Sequence, residues 1–233
     1  MSQQFGYEEQ VGNFEPGVSA SRAEFIGKTY SHLFGSMCLF TVTEIIFFRT
    51  GMAESIAGAI MSLPWLLILG MFMLVGWFSS SLATRIHSVP AQYAALFIGV
   101  MAWALMFVPM LFIANTYAPG VITSAASVTL VGFAGLTGIA FISRKDFSFL
   151  GSFLKWIGLC ALLGIGASLI FGFALGTWFS VAMVAFAGAA ILYDTSNVIR
   201  NYPEDMHVAA ALQLFGSVAL MFWYVLQIFM SRD

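Results

Sequence analysis

The stretch Trp178-Phe-Ser-Val-Ala-Met-Val-Ala-Phe-Ala-Gly-Ala-Ala-Ile-Leu-Tyr193 is apolar almost throughout and is followed at once by Asp194. No charged residue precedes Asp194 back to Lys155. An aspartate in such a segment costs about 2.5–3.5 kcal/mol at the bilayer centre and less toward the interface. Because that cost suggests a use, we interpret Asp194 as a candidate ion or proton site facing the interior of a helix bundle. The alternative is a helix-end aspartate that reaches the interface or caps against Ser196 and Asn197.

The composition of the whole chain also indicates a membrane environment. Of 233 residues, 60% are hydrophobic and only 9% are charged, whereas soluble domains carry about 25% charged residues. With so few charged residues, most of the folded chain's surface must be apolar, and we expect it to face lipid. The net charge of −2 includes no basic block, so nucleic acid is not an expected partner. Cys38 and Cys160 lack metal-ligand spacing, and no P-loop, HExxH, GxSxG or CxxC motif occurs. We therefore expect no cofactor, no metal site and no enzymatic activity.

Further apolar runs of about 20 residues, each long enough to cross the hydrocarbon core, lie on both sides of this stretch. They predict an all-α, polytopic membrane bundle of seven transmembrane helices. The predicted spans are Thr29–Phe48, Leu63–Ala83, Pro90–Ala114, Val121–Ile142, Phe149–Phe171, Trp178–Ile199 and Val208–Met230. Residues 1–28 show no periodic apolar pattern and are predicted to form a mobile cytoplasmic tail. The domain assignment is this tail followed by a membrane domain over residues 29–233.

Lysine and arginine placement predicts the orientation of the bundle. If the N-terminus is cytoplasmic, most of the cations fall on the cytoplasmic side, namely Arg22, Lys28, Arg85, Arg144, Lys145, Lys155 and Arg200. Only Arg49 and Arg232 fall outside. This positive-inside bias favours an odd number of crossings and an outward C-terminus. The alternative has six crossings, with the last run re-entrant and the C-terminus inside.

Other polar residues inside or beside the spans are candidates for ion or proton sensing. Glu44 lies near the outer end of the first span, where it lines an outer vestibule or reaches toward Arg49; we favour the second interpretation. Three groups are predicted at the cytoplasmic depth of Asp194: His32, Arg85 and His207. Beside a cation Asp194 would stay ionised, whereas burial alone favours the protonated form. For each histidine, an ordinary place at the interface is the favoured interpretation.

Two motifs carry a resemblance to a known family. The loop Arg144-Lys145-Asp146-Phe-Ser-Phe-Leu-Gly151 suits a cytoplasmic turn, and Asp146 and Ser148 can cap the following helix. Together with Ile191-Leu-Tyr-Asp-Thr-Ser-Asn-Val-Ile199, this loop resembles the transmembrane Bax-inhibitor-motif family, also called Bax inhibitor-1-like. The Asp-Thr-Ser-Asn run and the ending Ser-Arg-Asp are most similar to its bacterial YccA-like branch. The order of spans matches over nearly the whole chain beyond the tail.

The resemblance implies a fold with six helices around a central C-terminal helix, and a protein that is not an enzyme. It also implies an association with pH-sensitive calcium leak and protection from stress. In leak-competent members, two aspartates on the last two helices share a proton and gate a pore. Asp194 matches the first aspartate, whereas Ser217 stands at the second position. The paired-aspartate mechanism therefore does not carry over intact.

Two functional hypotheses follow. The YccA-like branch is linked to modulation of FtsH, the membrane-anchored ATP-dependent protease, in the bacterial inner membrane. We favour a regulatory protein that modulates this protease through its tail, with contacts at Glu8, Glu9, Phe14 and Glu15. The alternative is a pH-sensitive leak for calcium or another cation, with Asp194 as the proton sensor. The lipid bilayer is the partner common to both hypotheses.

Overall fold

The structure is a computed structural model that describes residues 20–64, 66–68, 70–71, 73–74, 89–143 and 145–231. All regular structure in these ranges is helical. The helices are α1 (Ala20–Arg49), α2 (Met52–Met61), α3 (Val89–Tyr117), α4 (Val121–Ser143), α5 (Leu150–Phe171), α6 (Gly176–Arg200) and α7 (His207–Met230). The described parts of residues 66–74 are helical as well.

The prediction of membrane-spanning helices is confirmed for six helices. α1 and α3 to α7 are all long and apolar enough to cross a bilayer. The remaining predicted span, Leu63–Ala83, extends into residues outside the described ranges, so a seventh spanning helix stays a prediction. The short helix α2 was not predicted; it follows Gly51, whose φ of 77° makes the tight turn out of α1.

The start of the first helix differs from the prediction. α1 begins at Ala20, so residues 20–28 extend the first span rather than belonging to the tail. Phe25 is buried, and Arg22 Nη1 donates a 2.6 Å hydrogen bond to the carbonyl oxygen of Tyr202. Arg22 Nε also lies 3.5 Å from the carboxylate of Glu204. These contacts anchor the first turns of α1, which precede its apolar run, to the α6–α7 loop.

The C-terminal helix α7 is the most enclosed helix of the described bundle. Its consecutive residues 208–212 are all buried, so it has no solvent- or lipid-facing stripe at that end. It packs against α1, α3, α4 and α6, while α5 packs on α6 instead. Three successive alanines, residues 209–211, permit close approach of the neighbouring backbones. Four of the described helices thus pack against α7, whereas the family resemblance implies six.

The packing on α7 is centred on an aromatic cluster around Phe107 of α3. Phe107 is fully buried. Its ring centroid lies 5.2 Å from those of Phe40 and Phe222, 5.1 Å from that of Trp223 and 6.0 Å from that of Trp103. Aromatic pairs at such distances add to the free energy gained by burial. This cluster connects α1, α3 and α7 in the middle of the bundle.

The outer faces of the helices carry many large apolar side chains. Among the most exposed large side chains are Ile142, Trp156, Phe171 and Trp178. An exposed apolar surface of this extent is stable only against lipid. Trp156 and Trp178 lie near helix ends, where indole rings commonly sit at the membrane interface. The chain is therefore a multi-pass membrane protein.

We expect Phe107→Ala to lower the free energy of unfolding by about 3–5 kcal/mol, because it opens a cavity in the aromatic cluster. The matched control is Phe97→Ala on the same helix, since Phe97 is 55% exposed and faces away from the core. Thermal unfolding of the purified variants in one detergent measures the difference. Equal melting temperatures for the two variants would contradict this description of the core.

Candidate functional site

Three consecutive polar residues of α6, Asp194, Thr195 and Ser196, are each 2% exposed or less. Successive helical residues project about 100° apart around the axis, because a turn contains about 3.6 residues. Three polar neighbours therefore cannot share one face, and each must find its partner on a different element. We call these residues the polar triplet. Its contacts determine how the helices are arranged at the end of the bundle beside the α6–α7 loop.

Asp194 faces the enclosed helix α7. Ser217 Oγ donates a 2.5 Å hydrogen bond to Asp194 Oδ2. The side chain of Gln213, one helical turn before Ser217, also hydrogen-bonds the carboxylate. Asp194 is therefore buried against α7 and bonded there, rather than capping against Ser196 and Asn197. Its partners on α7 are a neutral hydroxyl and a neutral amide.

The other two members of the triplet reach different elements. The Tyr30 hydroxyl donates to Thr195 Oγ1 at 3.4 Å, which connects α6 to α1. The backbone N–H of Phe147 donates to Ser196 Oγ at 3.1 Å, which connects α6 to the loop before α5. This second bond joins the 144–151 motif to the 191–199 motif. The two sequence motifs are thus parts of one structural unit.

The loop before α5 is held by Asp146, although not as a helix cap. The backbone N–H of Ser148 donates to Asp146 Oδ1 at 2.9 Å. These hydrogen bonds from Ser148 hold the pKa of Asp146 below its usual value. α5 itself begins at Leu150, and no side chain caps its N-terminus at Phe149. The predicted capping of α5 by Asp146 and Ser148 is therefore wrong: the Asp146 side chain closes an Asx turn over residues 146–148.

The two predicted histidines form a cluster of their own. His32 Nδ1 lies 2.7 Å from the Lys28 carbonyl oxygen, and its Nε2 lies 2.7 Å from the Tyr93 hydroxyl. Because a carbonyl only accepts, Nδ1 carries the proton of the neutral ring and Nε2 accepts from Tyr93. The His32 and His207 rings are 4.9 Å apart, centroid to centroid. This cluster connects α1, α3 and α7; the hydrogen bonds and ring contacts of these histidines do not include Asp194. Arg85 lies outside the described residues.

Glu44 of α1 is buried, with 7% of its surface exposed. Neither of its carboxylate oxygens has a hydrogen-bond partner. The favoured interpretation, in which Glu44 reaches toward Arg49, is therefore wrong. Glu44 lines a cavity of about 390 Å³ bounded by α1, α3, α4 and α7. This places it apart from the polar triplet, as its position near the outer end of the first span predicts.

Sequence reasoning did not identify Tyr30, Thr195, Ser196 or Gln213 as site residues. The available signal was the run of polar residues directly after Asp194 in an apolar helix. The buried hydroxyl of Thr129 was also missed, because threonine is common on lipid-facing helix surfaces and its direction is not readable from α4 alone. Among the described residues, no group of three or more metal-ligating side chains occurs. The predicted tail contacts Glu8, Glu9, Phe14 and Glu15 lie outside the described residues.

Chemically, the triplet and its partners on α7 offer one carboxyl group among hydroxyls and an amide. They can accept or release a proton, and they contain no activated nucleophile. The surroundings of Asp194 therefore suit a change of charge inside the protein.

Comparison with known proteins identifies relatives from bacteria and eukaryotes. Bax inhibitor 1 of Schizosaccharomyces pombe is 33% identical over 173 residues, which are 71% of this chain and 61% of that protein. Protein LIFEGUARD 4 of Arabidopsis thaliana is 34% identical over 152 residues, 62% of this chain and 59% of the relative. An uncharacterized protein of Pseudomonas aeruginosa is 35% identical over 133 residues, 56% of this chain and 59% of the relative. The chain thus spans about three fifths of the length of each of these relatives.

The family model described as "Inhibitor of apoptosis-promoting Bax1" matches residues 22–233. That range contains all but the first two residues of α1, the whole of α2 to α7, the polar triplet and the loop that Ser196 holds. A match over nearly the whole chain, together with the relatives above, means that this chain belongs to the Bax inhibitor-1-like family.

Proposed function

We propose that this chain is a non-enzymatic regulatory membrane protein that acts as a proton-controlled cation leak. The observation that supports this function best is the contact between Asp194 and Ser217. A carboxyl group 2% exposed is held in the bundle by a neutral hydroxyl and a neutral amide. Calcium is the cation that the family resemblance implies.

The physical reason is the difference between the two protonation states of Asp194. An ionised carboxylate only accepts hydrogen bonds, whereas the protonated group also carries an O–H donor. The donors from Ser217 and Gln213 therefore fit the ionised form. A buried charge whose partners are neutral is costly. Protonation removes that cost and weakens the charge-assisted hydrogen bond from Ser217 at the same time.

A change at this contact would also affect two neighbouring elements, α1 and the loop before α5. Thr195 and Ser196, the next two residues of α6, hold α1 through Tyr30 and the α5 loop through Phe147. Any shift of α6 against α7 therefore alters three contacts together. In this proposal, the ionised state keeps the helices closed and protonation opens them.

We expect Asp194→Asn to make calcium flux independent of pH, because the amide is nearly isosteric with the carboxyl group but cannot ionise. In the natural chain, a single titrating proton changes the flux by at most about tenfold per pH unit. Glu54→Gln is the control, since it makes the same carboxyl-to-amide change at an exposed residue of α2, a helix with no extensive contact with α6. Flux into proteoliposomes of purified protein is measured between acidic and neutral pH.

A second variant, Ser217→Asp, tests the geometry of the same site. Two facing carboxylates repel each other when both are ionised, so they share a proton and titrate together. The flux of Ser217→Asp is expected to depend on pH more steeply than that of the natural chain. Absence of flux in the natural chain and in both variants would contradict the leak proposal. Asp194 would then be a structural residue.

Modulation of the FtsH protease is the second candidate function. Ser217 is the observation that favours it, because a neutral side chain faces Asp194 where leak-competent members have a second aspartate. A site with one carboxyl group lacks the repulsion on which paired-aspartate gating depends. In this alternative, the bundle is an anchor and residues 1–19 make the protease contact.

Deletion of residues 2–19 separates the two functions. This change ends before α1 and so removes none of the described helices. For a protease modulator, we expect the deletion to abolish co-purification with FtsH, and alanine at Glu8, Glu9, Phe14 and Glu15 to weaken it. For a leak, the truncated protein keeps its pH-dependent flux. Unchanged co-purification of the truncated chain would exclude the tail as the contact.

The proposed location is the bacterial inner membrane, with a cytoplasmic N-terminus. The cation bias of the loops supports this orientation. We expect a reporter that is active only in the cytoplasm to give signal when fused after residue 146, and one that is active only outside it to give signal after residue 233. A cytoplasmic signal from the fusion after residue 233 would favour six crossings over seven.

A further inference from the structure

We propose that the cavity bounded by α1, α3, α4 and α7 binds a lipophilic ammonium, a molecule with one protonated nitrogen on an apolar body. Glu44 supplies the anionic partner of that nitrogen, and Thr129 supplies a hydroxyl. This site is separate from the polar triplet, and it does not depend on whether the protein is a leak or a protease modulator.

The first argument is that two buried polar groups at one cavity lack partners. Glu44, on α1, is 7% exposed, and both of its carboxylate oxygens are unpaired. Thr129, on α4, is 3% exposed, and its hydroxyl oxygen is unpaired. Both residues line the same cavity. A buried polar group without a partner costs about 1–3 kcal/mol, and more when it is charged. Both costs are relieved by a ligand that brings a positively charged N–H donor.

The second argument concerns the size and lining of the cavity. Its volume of about 390 Å³ lies within the range of about 300–1,000 Å³ that is typical of small-molecule sites. The lining is mainly apolar and includes the aromatic rings of Phe40, Phe48 and Phe222. Aromatic faces attract ammonium groups, especially in places from which water is excluded. An apolar body with one cationic group matches this combination of surfaces.

An inorganic cation matches the lining less well. Calcium takes about six to eight oxygen ligands. Glu44 supplies the one carboxylate of the lining, and the other side-chain oxygens are those of Asn115, Thr129 and Thr41, which together are fewer than calcium takes. A metal ion would also leave the surrounding phenylalanine rings without any contact, whereas the alkyl or aryl body of an amine covers them.

The third argument is access from the bilayer. α1 and α4 each pack along α7, but they have no extensive contact with each other in the described part of the chain. Ile45 of α1 and Leu130 of α4 line the cavity and are each 52% exposed on the outer face of the bundle. The cavity therefore borders the lipid-facing surface. A molecule that partitions into the membrane reaches it without crossing water.

The test uses a dodecylamine derivative with a photoreactive diazirine in its chain, added to the full-length protein in a neutral detergent. We expect labelling of α1, α4 and α7 at the residues that line the cavity. Unlabelled dodecylamine should compete with the probe at least about tenfold better than dodecanol, a difference of about 1.4 kcal/mol. The alcohol is the matched control, because it has the same chain without the charge.

The variant Glu44→Gln is expected to abolish this preference for the amine. Glu54→Gln on α2 is its control, since Glu54 is exposed and does not line the cavity. The amine–alcohol comparison on the natural chain needs no variant, so the test stands even if Glu44→Gln folds poorly. Equal competition by the alcohol, displacement of the probe by millimolar calcium, or labelling away from the cavity would each overturn the proposal. Asp194→Asn should retain the preference for the amine over the alcohol, which separates recognition at this site from the leak.

Discussion

The hydrogen bond from Ser217 to Asp194 is the constraint on which the half of the bundle beside the α6–α7 loop depends. In lipid, a carboxylate finds neither water nor counter-ions, so its partners must come from the protein. The structure supplies them from α7 and thereby requires α6 and α7 to lie in one relative rotation and at one relative depth. Apolar contacts alone would allow many such arrangements, because neighbouring helices and lipid tails are equally apolar.

Thr195 and Ser196 extend this constraint beyond one pair of helices. Each takes a partner from a different element, so α1, α7 and the loop before α5 are positioned by three consecutive residues. The central aromatic cluster around Phe107 provides packing at mid-depth but no comparable directionality. Hydrogen bonds therefore specify the arrangement of the helices beside the α6–α7 loop. Close packing of the aromatic rings stabilises the middle of the bundle.

The sequence predicts the spans well and the contacts poorly, for one physical reason. Lipid selects helices by length and apolarity, so six spans were recognisable. The same uniform apolarity removes the polar stripe that would indicate which way a helix faces. Glu44 was therefore assigned to Arg49 at the interface, although it is buried beside a cavity. The start of α1 at Ala20 was missed because it is held by a long-range contact of Arg22 with the α6–α7 loop, which local patterns do not contain.

The two polar sites of the bundle share one helix. Phe215 and Val218 of α7 line the cavity beside Glu44, and between them lies Ser217, which holds Asp194. A helix turn moves nearly as a rigid unit, so a ligand that displaces Phe215 or Val218 also changes the geometry at Ser217. Thermodynamic linkage makes such an effect reciprocal: whatever an occupant of the cavity does to the protonation of Asp194, protonation does to the affinity for that occupant. The direct route between the two places therefore runs through one turn of α7, in which the direction of each side chain decides whether it faces Asp194 or the cavity.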